Sequence, residues 1–320
     1  QDDYDLEGER MFEKNMYWKQ VQLFLPEHNR ISVEYMPEEK FTMYNDIKIR
    51  FDEYKPEKAS DTSIVILHGV GGNGRLLSFI AVPLVKAGYK VICPDLPGYG
   101  YTTYQKDLDY AMWIDVGSFM VREEIEKGKQ VYICGLSAGG MLAYNIACNT
   151  KKVAGLVVTN ILDNRYQIVR DYSAKNRFQS RVGIKLMGAL PVFLQKRIKI
   201  PVKEVANMRT IVNDRSLMKI LLKDKVGSGS SVSIYFLVTM LNFIPLIEPE
   251  DFYICPVLLV HPDDDKWTPV EVSKLFFNRI KAPKRLRMLK NAGHFPIESP
   301  GLQQLETELS SFIENGIQSN

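Results

Sequence analysis

The 320-residue sequence predicts an α/β fold: a mostly parallel sheet flanked by helices, with a helical cap inserted into it. Three observations predict it. From Ile64 onward short β-branched runs alternate with helical stretches, the pattern of parallel strands joined by crossover helices. The apolar run Val131 to Cys134 leads straight into Gly135-Leu136-Ser137-Ala138-Gly139 and then a helix-like stretch from Met141 to Ala147, which sets a glycine-flanked serine at a strand-to-helix turn. Between Asn164 and Pro249 the alternation stops and helical, basic sequence takes over. The expected organisation is therefore residues 1–163 as N-terminal extension and first part of the core, 164–249 as the cap, and 250–320 as the rest of the core.

Taken in order, Gln1 to Gly8 is acidic and expected to fray, and Met11 to Leu25 reads as an amphipathic helix stopped by Pro26. Ile31 to Met36, Phe41 to Tyr44 and Ile47 to Tyr54 read as strands, with Asn45-Asp46 as a hairpin turn and an antiparallel entry to the sheet. Ile64 to Leu67, Lys90 to Cys93, Val131 to Cys134, Ala154 to Val158, Val257 to Val260 and Leu286 to Leu289 are the expected strands of the core. Leu76 to Ala87 and Tyr110 to Lys127 are helices closed by Gly88 and Gly128. Thr268-Pro269-Val270-Glu271 reads as a capping box with proline at the first helical position, and Ser299-Pro300 opens the last helix in the same way. Within the cap, Gly227-Ser228-Gly229-Ser230-Ser231 reads as a small flexible joint.

With 45% hydrophobic and 25% charged residues, the chain buries a full core and is neither disordered nor fibrous. A formal net charge of +3 gives no global case for a nucleic-acid partner. Cys93, Cys134, Cys148 and Cys255 lack metal-ligand spacing and read as buried free thiols, which suits a reducing compartment. No metal and no cofactor is expected. No apolar run reaches the length of a membrane span and no signal peptide is visible, so the expected location is cytoplasmic. The chain starts at Gln1 and not at Met, which leaves export open.

A serine hydroxyl attacks poorly at neutral pH unless a base takes its proton during attack. Four histidines exist. His28 precedes the sheet, His68 ends a strand where a structural role is common, and His261 ends a later strand. His294, in Asn291-Ala292-Gly293-His294-Phe295-Pro296 after the last strand, holds the place the order serine, acid, histidine assigns to the base. The orienting acid must come from a loop at the same sheet edge, and His261-Pro262-Asp263-Asp264-Asp265 supplies three carboxylates. Asp265 comes first, because two residues then remain before Thr268; Asp263 is second, and Asp264 reads as a solvent-facing turn residue. The oxyanion formed on the carbonyl needs two backbone N–H groups, expected from Ala138 and from Val70 in the loop His68-Gly69-Val70-Gly71-Gly72-Asn73-Gly74. That loop lacks the lysine and spacing of a phosphate-binding loop and the dinucleotide fingerprint.

With His68-Gly69, Pro94-Asp95-Leu96-Pro97-Gly98-Tyr99-Gly100, the Ser137 turn, the Asp265 loop and Gly293-His294-Phe295-Pro296, the chain resembles the α/β-hydrolase-fold serine hydrolases from about Ile64 to the final helix. Its flavour is that of monoacylglycerol lipases, lysophospholipases and carboxylesterases. Pro262 and Tyr101 depart from the usual pattern. The resemblance implies hydrolysis of a small-molecule acyl ester, of acylglycerol or lysophospholipid type, through an acyl-enzyme on Ser137 with His294 and Asp265. Thioester, lactone or carbon–carbon bond hydrolysis by the same residues is the alternative, and a silent ligand receptor the alternative from another class. A serine in place of aspartate argues against epoxide hydrolases and haloalkane dehalogenases.

The cap adds one more expectation. Residues 165–225 carry fifteen Lys and Arg against four Asp and Glu, and Arg181 to Val202 interleaves apolar residues with Arg181, Lys185, Lys196, Arg197 and Lys199. Such a surface suits peripheral contact with an anionic membrane. Packing of the cap onto the core would use the same apolar residues.

Overall fold

The structure, a computed structural model, describes residues 10–317; the acidic stretch Gln1 to Gly8 lies outside the described residues. It begins with a single 3-10 turn at Met11–Glu13 and the helix α1 (Tyr17–Gln22). The continuous helix expected over Met11 to Leu25 is broken, because the Asn15 side-chain oxygen accepts the Tyr17 N–H and ends the first turn. The strand expected at Ile31 to Met36 is absent from the described structure: Val33 is 97% exposed, and Pro37 follows. Without an apolar face to bury, this segment stays irregular.

The sheet starts with β1 (Glu38–Tyr44) and β2 (Ile47–Tyr54), an antiparallel pair in which Tyr44 opposes Ile47 across the turn at Asn45. Then follow β3 (Thr62–Leu67), α2 (Ser78–Lys86), β4 (Lys90–Pro94), α3 (Tyr110–Glu126), β5 (Gln130–Gly135), α4 (Ala138–Thr150) and β6 (Gly155–Val158). The next stretch supplies α5 (Gln167–Ser173), α6 (Ile184–Ala189), α7 (Val192–Arg197), β7 (Lys199–Pro201), α8 (Val202–Val205), α9 (Arg215–Leu221), β8 (Ser231–Ser233) and α10 (Ile234–Leu241). Here β7 and β8 pair only with each other. The main sheet resumes with β9 (Val257–Pro262), α11 (Val270–Phe277), β10 (Lys284–Leu289) and α12 (Gly301–Asn315).

Eight strands run in the order β1-β2-β4-β3-β5-β6-β9-β10, parallel from β4 onward. Helix α2 packs on α12, and α3 on α4, so helices cover the sheet in two groups. Strands covered on both faces are apolar at nearly every position, which is why Ile64–Leu67 in β3 and Val131–Cys134 in β5 read as hydrophobic runs: Ile64, Val65, Ile66, Leu67, Ile133 and Cys134 are all buried. Each of the Val, Ile and Leu side chains among them contributes roughly 1.5–3 kcal/mol.

Two helix starts differ from expectation. Pro269 is the residue before α11 and no side chain caps it, because the Thr268 hydroxyl is turned toward Asp265. Pro300, too, precedes α12 and lies outside its first turn. The joint expected at Gly227 to Ser231 is a closed turn: Gly227 and Gly229 N–H groups donate to Asp224 O (3.1 and 2.8 Å), and the Ser228 hydroxyl donates to Gly71 O at 2.8 Å. Backbone without a side chain can nest against the glycine loop, which sequence alone had suggested was freedom to move.

Candidate active site

Ser137 lies between β5 and α4 with φ 55° and ψ −124°, a conformation that costs a non-glycine residue about 1–3 kcal/mol. Its neighbours over-determine it. Leu136 N–H donates to Leu67 O at 3.0 Å, Ser137 N–H to Thr159 Oγ1 at 3.0 Å, and Gly139 N–H to Leu136 O at 2.8 Å. A Cβ on Gly135 would fall 2.1 Å from Gly139 O, and one on Gly139 would fall 2.6 Å from Leu67 O, so the turn closes only with glycine at both places.

His294 follows β10 and is buried. Its Nδ1 is 2.9 Å from Asp265 Oδ2 and its Nε2 is 2.7 Å from Ser137 Oγ. A carboxylate only accepts, so Nδ1 carries the hydrogen and Nε2 offers its lone pair to the serine hydroxyl. Asp265 also accepts N–H groups from Trp267 (2.8 Å) and Thr268 (3.0 Å) and the Thr268 hydroxyl (3.0 Å). Burial pushes the Asp265 carboxyl up, but the His294 imidazole and these donors outweigh it and hold the group at about 2. The two loops are tied together, since Asp264 N–H donates to Ala292 O at 3.0 Å. Trp267 lies against the imidazole, with ring centroids 4.6 Å apart.

The other two carboxylates go elsewhere. Asp263 Oδ1 accepts Asn291 N–H at 2.7 Å, and Asp264 Oδ2 accepts the Asn213 amide at 2.9 Å, both in exposed positions. His261 is buried against Thr159 O at 3.1 Å, and His28 is exposed beside Glu306.

Val70 and Ala138 line the large cavity together with Ser137. A Cβ on Gly69 would fall 3.0 Å from Ser137 Cβ and 3.1 Å from Ala138 N, so the glycine loop passes directly over the serine. Among the described residues neither Val70 N–H nor Ala138 N–H has an acceptor. The peptide that carries Val70 N–H is aimed by its carbonyl: Gly69 O accepts His68 Nδ1–H at 2.8 Å and Gly72 N–H at 3.1 Å, and a trans peptide then points Val70 N–H the other way. His68 Nε2 accepts Leu96 N–H at 2.9 Å, which requires a neutral ring. Burial supplies that neutrality by lowering His68 to about 4.

A cavity of about 330 Å³ opens beside Ser137 and His294, lined by Ile184, Met187, Ile200 and Leu237 among others, and a small recess of about 40 Å³ lies toward Gly69 and Phe295. Sequence reasoning missed Thr268, assigned as a cap, and Asn160, whose amide donates to the Thr268 hydroxyl at 3.0 Å. Two polar residues, Thr159-Asn160, directly after the apolar β6 were the available signal. Among the described residues no group of three His, Cys, Asp or Glu is placed to hold a metal ion. Burial pushes Cys134, Cys148 and Cys255 up to about 12, so these thiols are poor nucleophiles.

Residues 58–298 match the Hydrolase_4 family, described as serine aminopeptidase, S33. The chain belongs to this family. Among solved structures, this Hydrolase_4 chain is similar to a soluble variant of the Saccharomyces cerevisiae monoglyceride lipase in complex with a substrate analogue. That match has a TM-score of 0.72 at 15% identity and covers 92% of this chain and 99% of the lipase. A monoacylglycerol lipase of Paleococcus ferrophilus gives 0.65 at 18% identity, over 83% of this chain and 98% of that one. These likenesses establish the α/β-hydrolase fold. Esterase Rv0045c of Mycobacterium tuberculosis is 26% identical over 116 residues, which span 36% of this chain and 38% of that esterase.

Proposed function

We propose that this Hydrolase_4 protein hydrolyses carboxylic esters of acylglycerol, lysophospholipid or related type through an acyl-enzyme on Ser137. The observation that carries the reading is the hydrogen-bonded series Ser137–His294–Asp265 (2.7 and 2.9 Å) at the edge of a largely apolar cavity. Ser137 Oγ attacks the ester carbonyl as its proton passes to His294 Nε2. The negative charge of Asp265 offsets the imidazolium. Charge on the tetrahedral oxygen is held by Val70 and Ala138 N–H groups, and His294 returns the proton to the departing alcohol. Water then repeats the sequence on the acyl-enzyme. A peptide N-terminus would need a free carboxylate to receive its ammonium. The carboxylates in the cavity wall, Asp163 and Glu204, are already paired with Arg165 and Lys175. Esters are therefore favoured over peptides.

Residues 164–249 act in this reading as the cap, whose inner side chains roof the acyl site. Its outer face is unusually apolar, with Phe178 (71%), Leu186 (64%) and Phe193 (58%) exposed among Arg177, Lys185, Arg197 and Lys199. Lys196 and Arg181, counted with this fringe from sequence, instead pair with Asp107 (2.9 Å) and Asp171 (2.7 Å). The occupant of this face is an anionic bilayer, from which an acyl chain reaches the cavity on the inner side of the same helices.

The test of the catalytic reading is hydrolysis of p-nitrophenyl esters of graded chain length, then of monoacylglycerols and lysophospholipids, by wild type and Ser137→Ala. Turnover that vanishes with the hydroxyl is the expected result. Hydrolysis that survives in Ser137→Ala contradicts it.

A further inference from the structure

Among the described residues, one cation in the cavity wall lacks a carboxylate partner. Arg170, on α5, lines the large cavity, and its guanidinium donates only to neutral acceptors: Asn164 O, Leu241 O at 3.0 Å and Asn242 Oδ1 at 3.2 Å. Its Nη1 has no acceptor among the described residues. Four carboxylates of the cavity wall and of the segments around it have other cations: Asp163 has Arg165, Glu204 has Lys175, Asp171 has Arg181, and Glu248 has Arg165 and Arg279. Among the described residues, one positive charge without a carboxylate partner thus remains at the edge of a largely apolar chamber. Hydrogen bonds to carbonyls orient that charge without neutralising it, and an apolar surrounding makes an incoming anion more strongly bound than it would be in water.

We infer that the cavity takes an ester carrying an anionic group, and that Arg170 binds that group. The inference rests on the ester reading above and narrows it to one substrate class. The shared chemistry is a cluster of anionic oxygens on the substrate outside the scissile ester. It has two sources: a terminal carboxylate on the acyl chain, or a phosphate on the alcohol.

Two matched pairs separate them. The first compares p-nitrophenyl hexanoate with the p-nitrophenyl hemiester of adipic acid, the second a monoacylglycerol with its glycerol-phosphate counterpart of the same acyl chain. Wild type is expected to prefer the anionic member of one pair by roughly tenfold in KM, the scale of a partly buried charge-assisted pair, and less as salt is raised. The pair that shows the preference identifies the source. Arg170→Gln should lose roughly tenfold more on the anionic than on the neutral member, and Arg170→Lys should restore part of the difference. Two results overturn the site: wild type shows no preference in either pair, or Arg170→Gln lowers both members equally, as a mere tie between α5 and the end of α10 would. If wild type hydrolyses none of the four and a fluorophosphonate leaves Ser137 unlabelled, the ester reading itself fails and the anionic site falls with it.

Discussion

Ser137, His294 and Asp265 come from three loops at one sheet edge, and each role in the proposed reaction has its own substitution. Ser137→Ala should lose several orders of magnitude in kcat while its melting transition stays close to wild type. A deficit within about tenfold, ~1.4 kcal/mol in barrier, would remove the nucleophile assignment. Asp265→Asn should cost on the order of 10⁴ in kcat, the scale seen when a triad acid is neutralised, and Asp263→Asn should stay near wild type because Asp263 only accepts Asn291 N–H. His68 carries a pH dependence with a definite sign. Its folded value of about 4 lies below the ordinary histidine value near 6.5, so the unfolded chain binds the extra proton between the two. Its contribution to stability is full above about pH 6.5 and is lost as pH falls toward 4, by about 3 kcal/mol at most. Asp265, lowered to about 2, adds a loss only below about pH 4. Urea titrations between pH 8 and 4 check the slope, and NMR of the His68 ring should show it neutral at pH 5. Ser137 and His294 were legible because flanking glycines and loop position mark them. Thr268 was not, since a threonine before proline and a helix looks the same whether it caps the helix or holds the acid.

At the scale of elements, α4 leaves the Ser137 turn so close to the end of β6 that a Cβ on Gly140 would fall 1.7 Å from Asn160 O. Gly140→Ala should therefore move the helix, with a destabilisation of about 2–3 kcal/mol or more and an accompanying loss of activity, read from chemical denaturation and kcat together. Ser228 tests the contact between the segment that follows β6 and the glycine loop. Loss of its hydrogen bond to Gly71 O should lower kcat by roughly fivefold with little change in KM, the worth of one neutral hydrogen bond next to the Val70 peptide. An unchanged kcat in Ser228→Ala would show that the loop holds its shape without this hydrogen bond. The parallel strands were legible because burial on both faces forces unbroken apolar runs. The N-terminal segment was not: Phe12 and Trp18 lie over the buried guanidiniums of Arg50 and Arg75, which are bound to Asp52, and no local pattern announces a covering segment for a distant ion pair. That cluster reaches the glycine loop through Asp95, which lies 3.5 Å from Arg50 Nη1 and accepts Gly74 N–H at 2.7 Å.

The whole molecule combines a mostly parallel sheet with a basic segment whose side chains in part line the cavity and in part, as Leu186 and Phe193, are exposed. If the exposed part meets anionic bilayers, sedimentation with phosphatidylserine vesicles should be strong at low salt and fall as ionic strength rises. Leu186→Glu/Phe193→Glu should abolish it while a short soluble ester is still turned over; equal, negligible sedimentation of both proteins would leave a cap that only shapes the cavity. Charge asymmetry was visible in the sequence, whereas the choice of outward-facing side chains was not, because it depends on how α6 and α7 pack. The central claim, that Ser137 is an activated nucleophile, is tested most directly by treating the folded protein with a fluorophosphonate and locating the adduct by peptide mass mapping. The account predicts one adduct per chain, on Ser137, formed in wild type and absent from His294→Ala. A folded wild-type protein that stays unlabelled, or that is labelled at another residue, would contradict it.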